Sequence, residues 1–278
     1  MKNQNFTTTF TVDQTPQHPV KFILVSVFAF IASVWATAYF SHSMSGGMDM
    51  PGGWTMSMMW MQMSGQTWFS SAISFLIMWM AMMVAMMMPS VLPMFLKTRR
   101  HWASLCYMTL GYFTIWLVAG IGIYAIGMAF AAVAMRSDLF SRSIPLLSGL
   151  LLIISGAIQF TPWKMTHLLQ CRSLFGCAVS YPQEERSFWL GCKQGAACCA
   201  CSASPMAVLI VLGIMNPIVM IVIAIVIAAE KLLPWPDIVA RLVGISAMIA
   251  GIVILSTVFL QPSHHSSMEK SSKVMSNM

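Results

Sequence analysis

The chain has 278 residues, of which 58% are hydrophobic and only 8% charged, with a mean hydropathy of +0.76. A water-soluble domain carries about a quarter charged residues, so a soluble globular protein is excluded and an integral membrane protein is indicated. A formal charge of +7 would suit nucleic-acid binding in a soluble chain. Here the basic residues sit in short loops beside apolar spans, where they set orientation, so the expected partner is the lipid bilayer and not nucleic acid.

The expected architecture is all-α, a polytopic transmembrane helical bundle. Residues 1–19 are polar and rich in Thr and Gln, the composition of a disordered lead. The transmembrane domain follows at 20–260, and residues 261–278 form a polar tail. The first apolar span is Val20–Phe40. Ala36-Thr37-Ala38 resembles a signal-peptidase site, but the long preceding region with Asp13 favours an uncleaved anchor. Next comes a polar, Gly-rich loop at 41–68, then a second span at Phe69–Leu96 and a basic run at Lys97, Arg99, Arg100 and His101.

Further spans are expected at about 103–129 and 144–160, with Arg136, Asp138 and Arg142 between them. Residues 161–195 form the one sizeable internal loop, which carries cysteines, and Thr161-Pro162 marks a helix break at its start. The apolar stretch Ala196–Ala229 is interrupted at Asn216-Pro217. Asn is a good N-cap and Pro a good first helical residue, so two short spans are expected, about 197–214 and 217–233. The last is about 239–260. The total is seven spans, or six if the first is a cleaved signal.

With the N-terminus in the cytoplasm, eleven basic residues fall on the inner side and four on the outer, as the positive-inside rule requires. In a bacterial inner (plasma) membrane this orientation puts the loop at 41–68 in the periplasm. It puts the cysteine-bearing loop on the reducing side, where thiols remain available as ligands.

Sixteen of the 28 methionines lie between Met44 and Met94. The loop holds Met44, Met48, Met50, Met56, Met58, Met59, Met61 and Met63, with His42 beside them. In the second span Met78, Met82 and Met86 stack one turn apart, and Met83 and Met87 form a second row. Thioethers are neutral and soft and suit Cu(I), and neutral ligands hold an ion in a membrane without burying extra charge. In the helix, methionine also serves as a flexible core filler. A polar loop has less need of such packing, so metal binding is the stronger reading there.

Seven cysteines, an odd number, do not read as a secreted disulfide framework. His167 and Cys171 are spaced i, i+4, which puts both on one helix face. Cys198, Cys199 and Cys201 stand where the fifth span is expected to begin, Cys198 and Cys201 spaced as CxxC. Together these residues suit a four-coordinate soft site for Cu(I) or Zn²⁺, or else they are small apolar packing residues. Glu230 at the end of the sixth expected span invites an ion pair with Lys164 or Arg172, read as a structural lock. No Walker, Rossmann, HExxH or GxSxG pattern appears, and no catalytic residue is assigned.

Several ordered blocks carry a resemblance. They are Trp79-x-x-Met82-x-x-Ala85-Met86-Met87-x-Pro89, then Gln159-Phe160-Thr161-Pro162-x-Lys164 with Cys171-Arg172. Gly195-x-x-Cys198, Gly213-x-Met215-Asn216 and Glu230-Lys231 follow. Across about 70–255 the chain resembles a bacterial family of predicted metal-binding integral membrane proteins, multi-span and rich in Met and Cys. The resemblance implies a multi-span membrane protein and a bound metal. The chain departs from that pattern with His167 where a cysteine is usual, and with Cys-Cys-Ala-Cys in place of Gly-Cys-Cys. The outer loop is separately similar to Met-rich segments of copper transporters and copper-resistance proteins.

The expectation is therefore a membrane protein that captures, moves or delivers Cu(I), with a periplasmic copper donor or a membrane copper enzyme as its partner. The rivals are a membrane oxidoreductase or its assembly factor using the cysteines, and a permease for a small apolar solute with no metal.

Overall fold

The computed structural model describes residues 19–43, 47–50, 54–57, 67–97, 102–173, 184–212 and 216–260. Among these, the apolar stretches form helices α1 (Pro19–Ser43), α2 (Trp68–Lys97), α3 (Trp102–Arg136), α4 (Asp138–Ile158), α6 (Glu184–Leu212), α7 (Pro217–Leu232) and α8 (Pro236–Leu260), and a shorter helix, α5 (Pro162–Ser173), lies between α4 and α6. The architecture is all-α. Its only sheet among the described residues is a hairpin of β1 (Gly47–Met50) and β2 (Trp54–Ser57), with Met48 opposite Met56. The lead 1–18 and the tail 261–278 lie outside the described residues.

Six helices, all but α5 and α7, are long and apolar enough to cross a membrane. The seventh expected span is α7, whose 16 residues rise about 24 Å at 1.5 Å per residue. A hydrocarbon core is about 30 Å thick, so six full spans plus one shorter segment replace the expected seven. Asn216 starts α7 as anticipated, its side chain accepting from the Ile218 and Val219 N–H groups. Its other end, Leu232, falls within one residue of the expected 233, and Glu230 and Lys231 in the last turn are buried in the bundle. Though short, α7 carries the chain back between α6 and α8. Gly191 faces Met108 and Gly195 faces Tyr112, so α3 and α6 run parallel. Gly149 faces Gly251 and Gly156 faces Gly244, so α4 and α8 run antiparallel.

Two other expectations are corrected. Residues 161–195 are not an extended loop: α5 and the first turns of α6 occupy much of that segment. Its charge density suggested a loop, yet Ser187, Gln194 and Lys164 are buried and hydrogen-bonded or ion-paired, which lets a polar sequence stay helical inside the bundle. Similarly, Arg136, Asp138 and Arg142 belong to helices, with Ser137 alone between α3 and α4.

The helix seams are close. A Cβ on Gly191 would stand 2.1 Å from the Met108 carbonyl oxygen, and one on Gly156 2.7 Å from that of Gly244. Small residues let helix backbones touch where no water drives association. The α2–α3 seam is pinned differently, by the Trp79 indole N–H donating to the Trp116 carbonyl at 2.9 Å. Large apolar side chains such as Phe28, Leu139 and Ile218 face outward, while Lys164, Glu230, Lys231, Gln159 and Gln194 are buried.

Candidate metal centre

The site draws on five helices: α5 and α6 bring the cysteines, and α2, α3 and α7 the groups around them. On α5, Lys164, Leu168 and Cys171 follow i, i+4, i+7 spacing, and all three are buried. This is the stripe that docks α5 into the bundle. On α6, Cys198 and Cys201 lie one turn apart and are buried. Cys198 is eleven residues into the apolar window Ser187–Leu212, so the cluster sits well inside a span and not at its start as expected. The Sγ atoms of Cys171, Cys198 and Cys201 all lie within 4.8 Å of one another.

Around these sulfurs is a shell of donors. Lys231, from the last turn of α7, places Nζ 2.8 Å from Cys198 Sγ and 3.4 Å from Met87 Sδ on α2. An ammonium has hydrogens but no lone pair, so both sulfurs must be the acceptors. Tyr112 on α3 brings its hydroxyl to 2.9 Å from the same Cys198 Sγ. Gln194, one turn before Cys198, donates Nε2 to the Cys171 carbonyl at 2.8 Å and to its Sγ at 3.3 Å. Cys171 comes from a helix outside the six spans, and its hydrogen bond with Cys198 pushes its thiol up to about 12.

Glu230, beside Lys231, faces the other way. Its carboxylate pairs with Lys164 Nζ at 2.9 Å and accepts from Gln159 Nε2 at 3.3 Å. The expected lock between Lys164 and Glu230 is present. Because Lys164 and Lys231 are buried, neither is a loop charge, and the two leave the inner-side tally of basic residues.

A metal with about 2.3 Å bonds to sulfur sets its ligands about 4 Å apart, so the three cysteines need only a small closure to enclose one ion. Soft sulfur donors select Cu(I) and also suit Zn²⁺. The chemistry of the donor set fits a thiophilic ion, with the Lys231 ammonium available to offset thiolate charge.

The other expected ligands fall out as follows. Met78, Met82, Met83, Met86 and Met87 are all buried, between 0 and 4% exposed, so both rows face the core and not the outer surface. They share that core with Cys171, Cys198 and Cys201, and Met87 is the one set against Lys231 at the cluster. Cys199 is half-buried and outside the trio. His167 does not join it either. It lies at the edge of the buried stripe of α5, with its ring 4.4 Å from that of Trp163 and its Nδ1 at 2.9 Å from the Trp163 carbonyl. His42 ends α1 instead of opening a loop, since the helix runs to Ser43. The side chains of His42, Met48, Met50 and Met56, and all of Met44, Met58, Met59, Met61 and Met63, lie outside the described residues.

A family model described as PpoB2, copper chaperone, matches residues 76–254. The chain belongs to this family. The matched stretch holds the α2 methionines, the three clustered cysteines, Tyr112, Gln194 and Lys231, and it leaves out the Met-rich segment before α2. Comparisons with curated proteins and with solved structures find no match.

Sequence reasoning missed three members of the site. Lys231 carried a signal, an ionisable residue in an apolar helix, which marks function by default in a membrane; attention went to its neighbour Glu230. Gln194 was hidden inside the expected loop. Tyr112 had no local signal, because only the parallel contact of α3 with α6 brings it to Cys198.

Proposed function

We propose that this chain is an integral membrane protein that binds Cu(I) at Cys171, Cys198 and Cys201 and captures, moves or delivers it within the membrane. The observation that carries the reading is the trio of sulfurs within 4.8 Å of one another, in one core with the α2 methionines. Membership of a copper-chaperone family supports copper as the ion. In this reading the Met-rich segment before α2 collects Cu(I) on the periplasmic face of the inner membrane, with the N-terminus cytoplasmic. The methionines of α2 pass the ion inward, and the cysteines hold it for a membrane copper enzyme or another acceptor. Neither the oxidoreductase nor the solute permease gains an observation in its favour.

The test is anaerobic Cu(I) loading of the purified protein in detergent, followed by metal analysis. Three proteins are compared: the native chain, a Cys171→Ser/Cys198→Ser/Cys201→Ser variant, and one with the eight methionines at 44–63 changed to leucine. Tight Cu(I) in the native protein and in the leucine variant, but not in the serine variant, is expected. Retention by the serine variant equal to native would remove the cysteines from the reading. Zn²⁺ held in preference to Cu(I) would replace the ion.

A further inference from the structure

We infer that Lys231 is the built-in counter-cation of the bound metal, and that it biases the site toward a monovalent ion. This rests on the copper reading of the three-cysteine site.

The argument begins with charge. A Cu(I) ion held by two thiolates is a singly negative unit. Burying an unpaired charge in an apolar interior costs several kcal/mol, and an ionised group inside a membrane span needs a partner. Among the described residues the cations buried near the cluster are Lys164 and Lys231. Lys164 is already neutralised by Glu230 at 2.9 Å. Among the described residues no carboxylate lies within ion-pair distance of Lys231, whose Nζ donates to two sulfurs, Cys198 Sγ and Met87 Sδ. A buried ammonium that faces two sulfurs and no carboxylate calls for negative charge beside it. This makes Lys231 the half of the pair that waits for negative charge on sulfur.

The geometry leaves room for both cations. Cys198 Sγ is approached by Lys231 from α7 and by Tyr112 from α3, while Cys171 and Cys201 stand within 4.8 Å of it. A thiolate has more than one lone pair, so it can bind a metal and still accept a hydrogen bond. Groups placed in this way set ligand charge and orientation, and their loss lowers metal affinity about 10- to 100-fold.

The consequence for selectivity follows by charge balance. With Lys231 present, Cu(I) and two thiolates sum to zero, whereas Zn²⁺ and two thiolates leave one excess positive charge and must recruit the third cysteine. With Lys231 neutralised, Cu(I) with two thiolates is left at minus one and Zn²⁺ with two becomes the neutral form. Lys231 is therefore a positioning and charge-setting residue.

The experiment measures Cu(I) and Zn²⁺ affinities by competition with chromophoric chelators for the native protein, Lys231→Met, Lys231→Arg and Tyr112→Phe. All are checked for a single detergent-exchanged species and native helical content. Lys231→Met should lose about 10- to 100-fold in Cu(I) affinity with a much smaller change for Zn²⁺. Lys231→Arg should keep the native Cu(I)-to-Zn²⁺ ratio, and Tyr112→Phe, which removes an uncharged donor, should keep it too. Equal losses for both metals in Lys231→Met would show a merely structural role and overturn the inference. Unchanged or tighter Cu(I) binding would do the same, since the ammonium would then be a bystander or a competitor. Should Lys231→Met not fold, a ratio lost in Lys231→Arg also overturns it. Cu(I) held equally well by the Cys171→Ser/Cys198→Ser/Cys201→Ser variant, measured alongside, would remove the cysteine site on which the inference rests, a distinct result.

Discussion

Lys164 and Glu230 form a buried ion pair, 2.9 Å between Nζ and Oε2, that fastens α5 to α7. Seven residues along the same face of α5 is Cys171, and next in sequence to Glu230 is Lys231. The pair thus holds Cys171 and the ammonium that faces Cys198 in one frame. A buried pair contributes little net stability compared with apolar groups of the same shape, yet removing one partner strands the other.

Lys164→Met and Glu230→Gln, made singly, should each destabilise the protein by about 3–5 kcal/mol. The double variant should recover most of that loss, since no charge is stranded and Gln159 keeps an oxygen acceptor at position 230. Chemical denaturation in detergent, followed by tryptophan fluorescence, reads the three values. Additive losses in the double variant would show that the two residues act independently.

The α3–α6 seam gives a paired prediction. A Cβ on Gly191 meets the Met108 backbone oxygen at 2.1 Å, which cannot move aside as a side chain would, whereas a Cβ on Gly122 meets nothing within 4 Å. Gly191→Ala should cost about 1–3 kcal/mol by forcing the helices apart, and should weaken Cu(I) binding because Tyr112 and Cys198 meet across the same seam. Gly122→Ala should be neutral or stabilise by up to about 1 kcal/mol, through the helix preference for alanine. Thermal unfolding with and without Cu(I) compares them.

The fold was largely legible because an apolar stretch of about 20 residues in a chain this hydrophobic has little choice but helix. The break at Asn216-Pro217 was legible too, since a capping side chain and a proline act locally. What could not be read was depth. Glu184, Glu185, Arg186, Lys193 and Gln194 look like loop residues one at a time, but they extend α6 and carry Cys198 well inside the span. The i, i+4 spacing of His167 and Cys171 was real, but the buried stripe of α5 is Lys164–Leu168–Cys171, and its rotation is fixed by the distant Glu230. Local spacing names the residues that share a face; tertiary pairing decides which face is buried.

The cap of α7 tests how far Lys231 depends on the start of its helix. Asn216 Oδ1 accepts from the backbone N–H of Ile218 at 3.0 Å and of Val219 at 3.4 Å. Asn216→Ala should cost about 1 kcal/mol and Asn216→Asp should cost little. Because the cap is at the opposite end of α7 from Lys231, Cu(I) affinity should stay at the native level in both. A loss of affinity matching that of Lys231→Met would mean that α7 shifts as a rigid unit along the bundle.

Met87 separates a route from a packing filler. It is fully buried, and its Sδ accepts from Lys231 Nζ at 3.4 Å, which makes it the α2 thioether to test in the proposed relay to Cys198. Leucine has nearly the same volume, and such a swap costs less than about 1.5 kcal/mol, so Met87→Leu removes the sulfur and keeps the packing. If the row conducts Cu(I), this variant should reach the native copper content at equilibrium but load several-fold more slowly from a chelated Cu(I) donor in stopped-flow measurements. Met83→Leu/Met87→Leu should be slower still. Met135, on α3 and 55% exposed, supplies the control, and Met135→Leu should load at the native rate. Equal loading rates for Met87→Leu and Met135→Leu would reduce the α2 methionines to core packing and require another path to the cysteines.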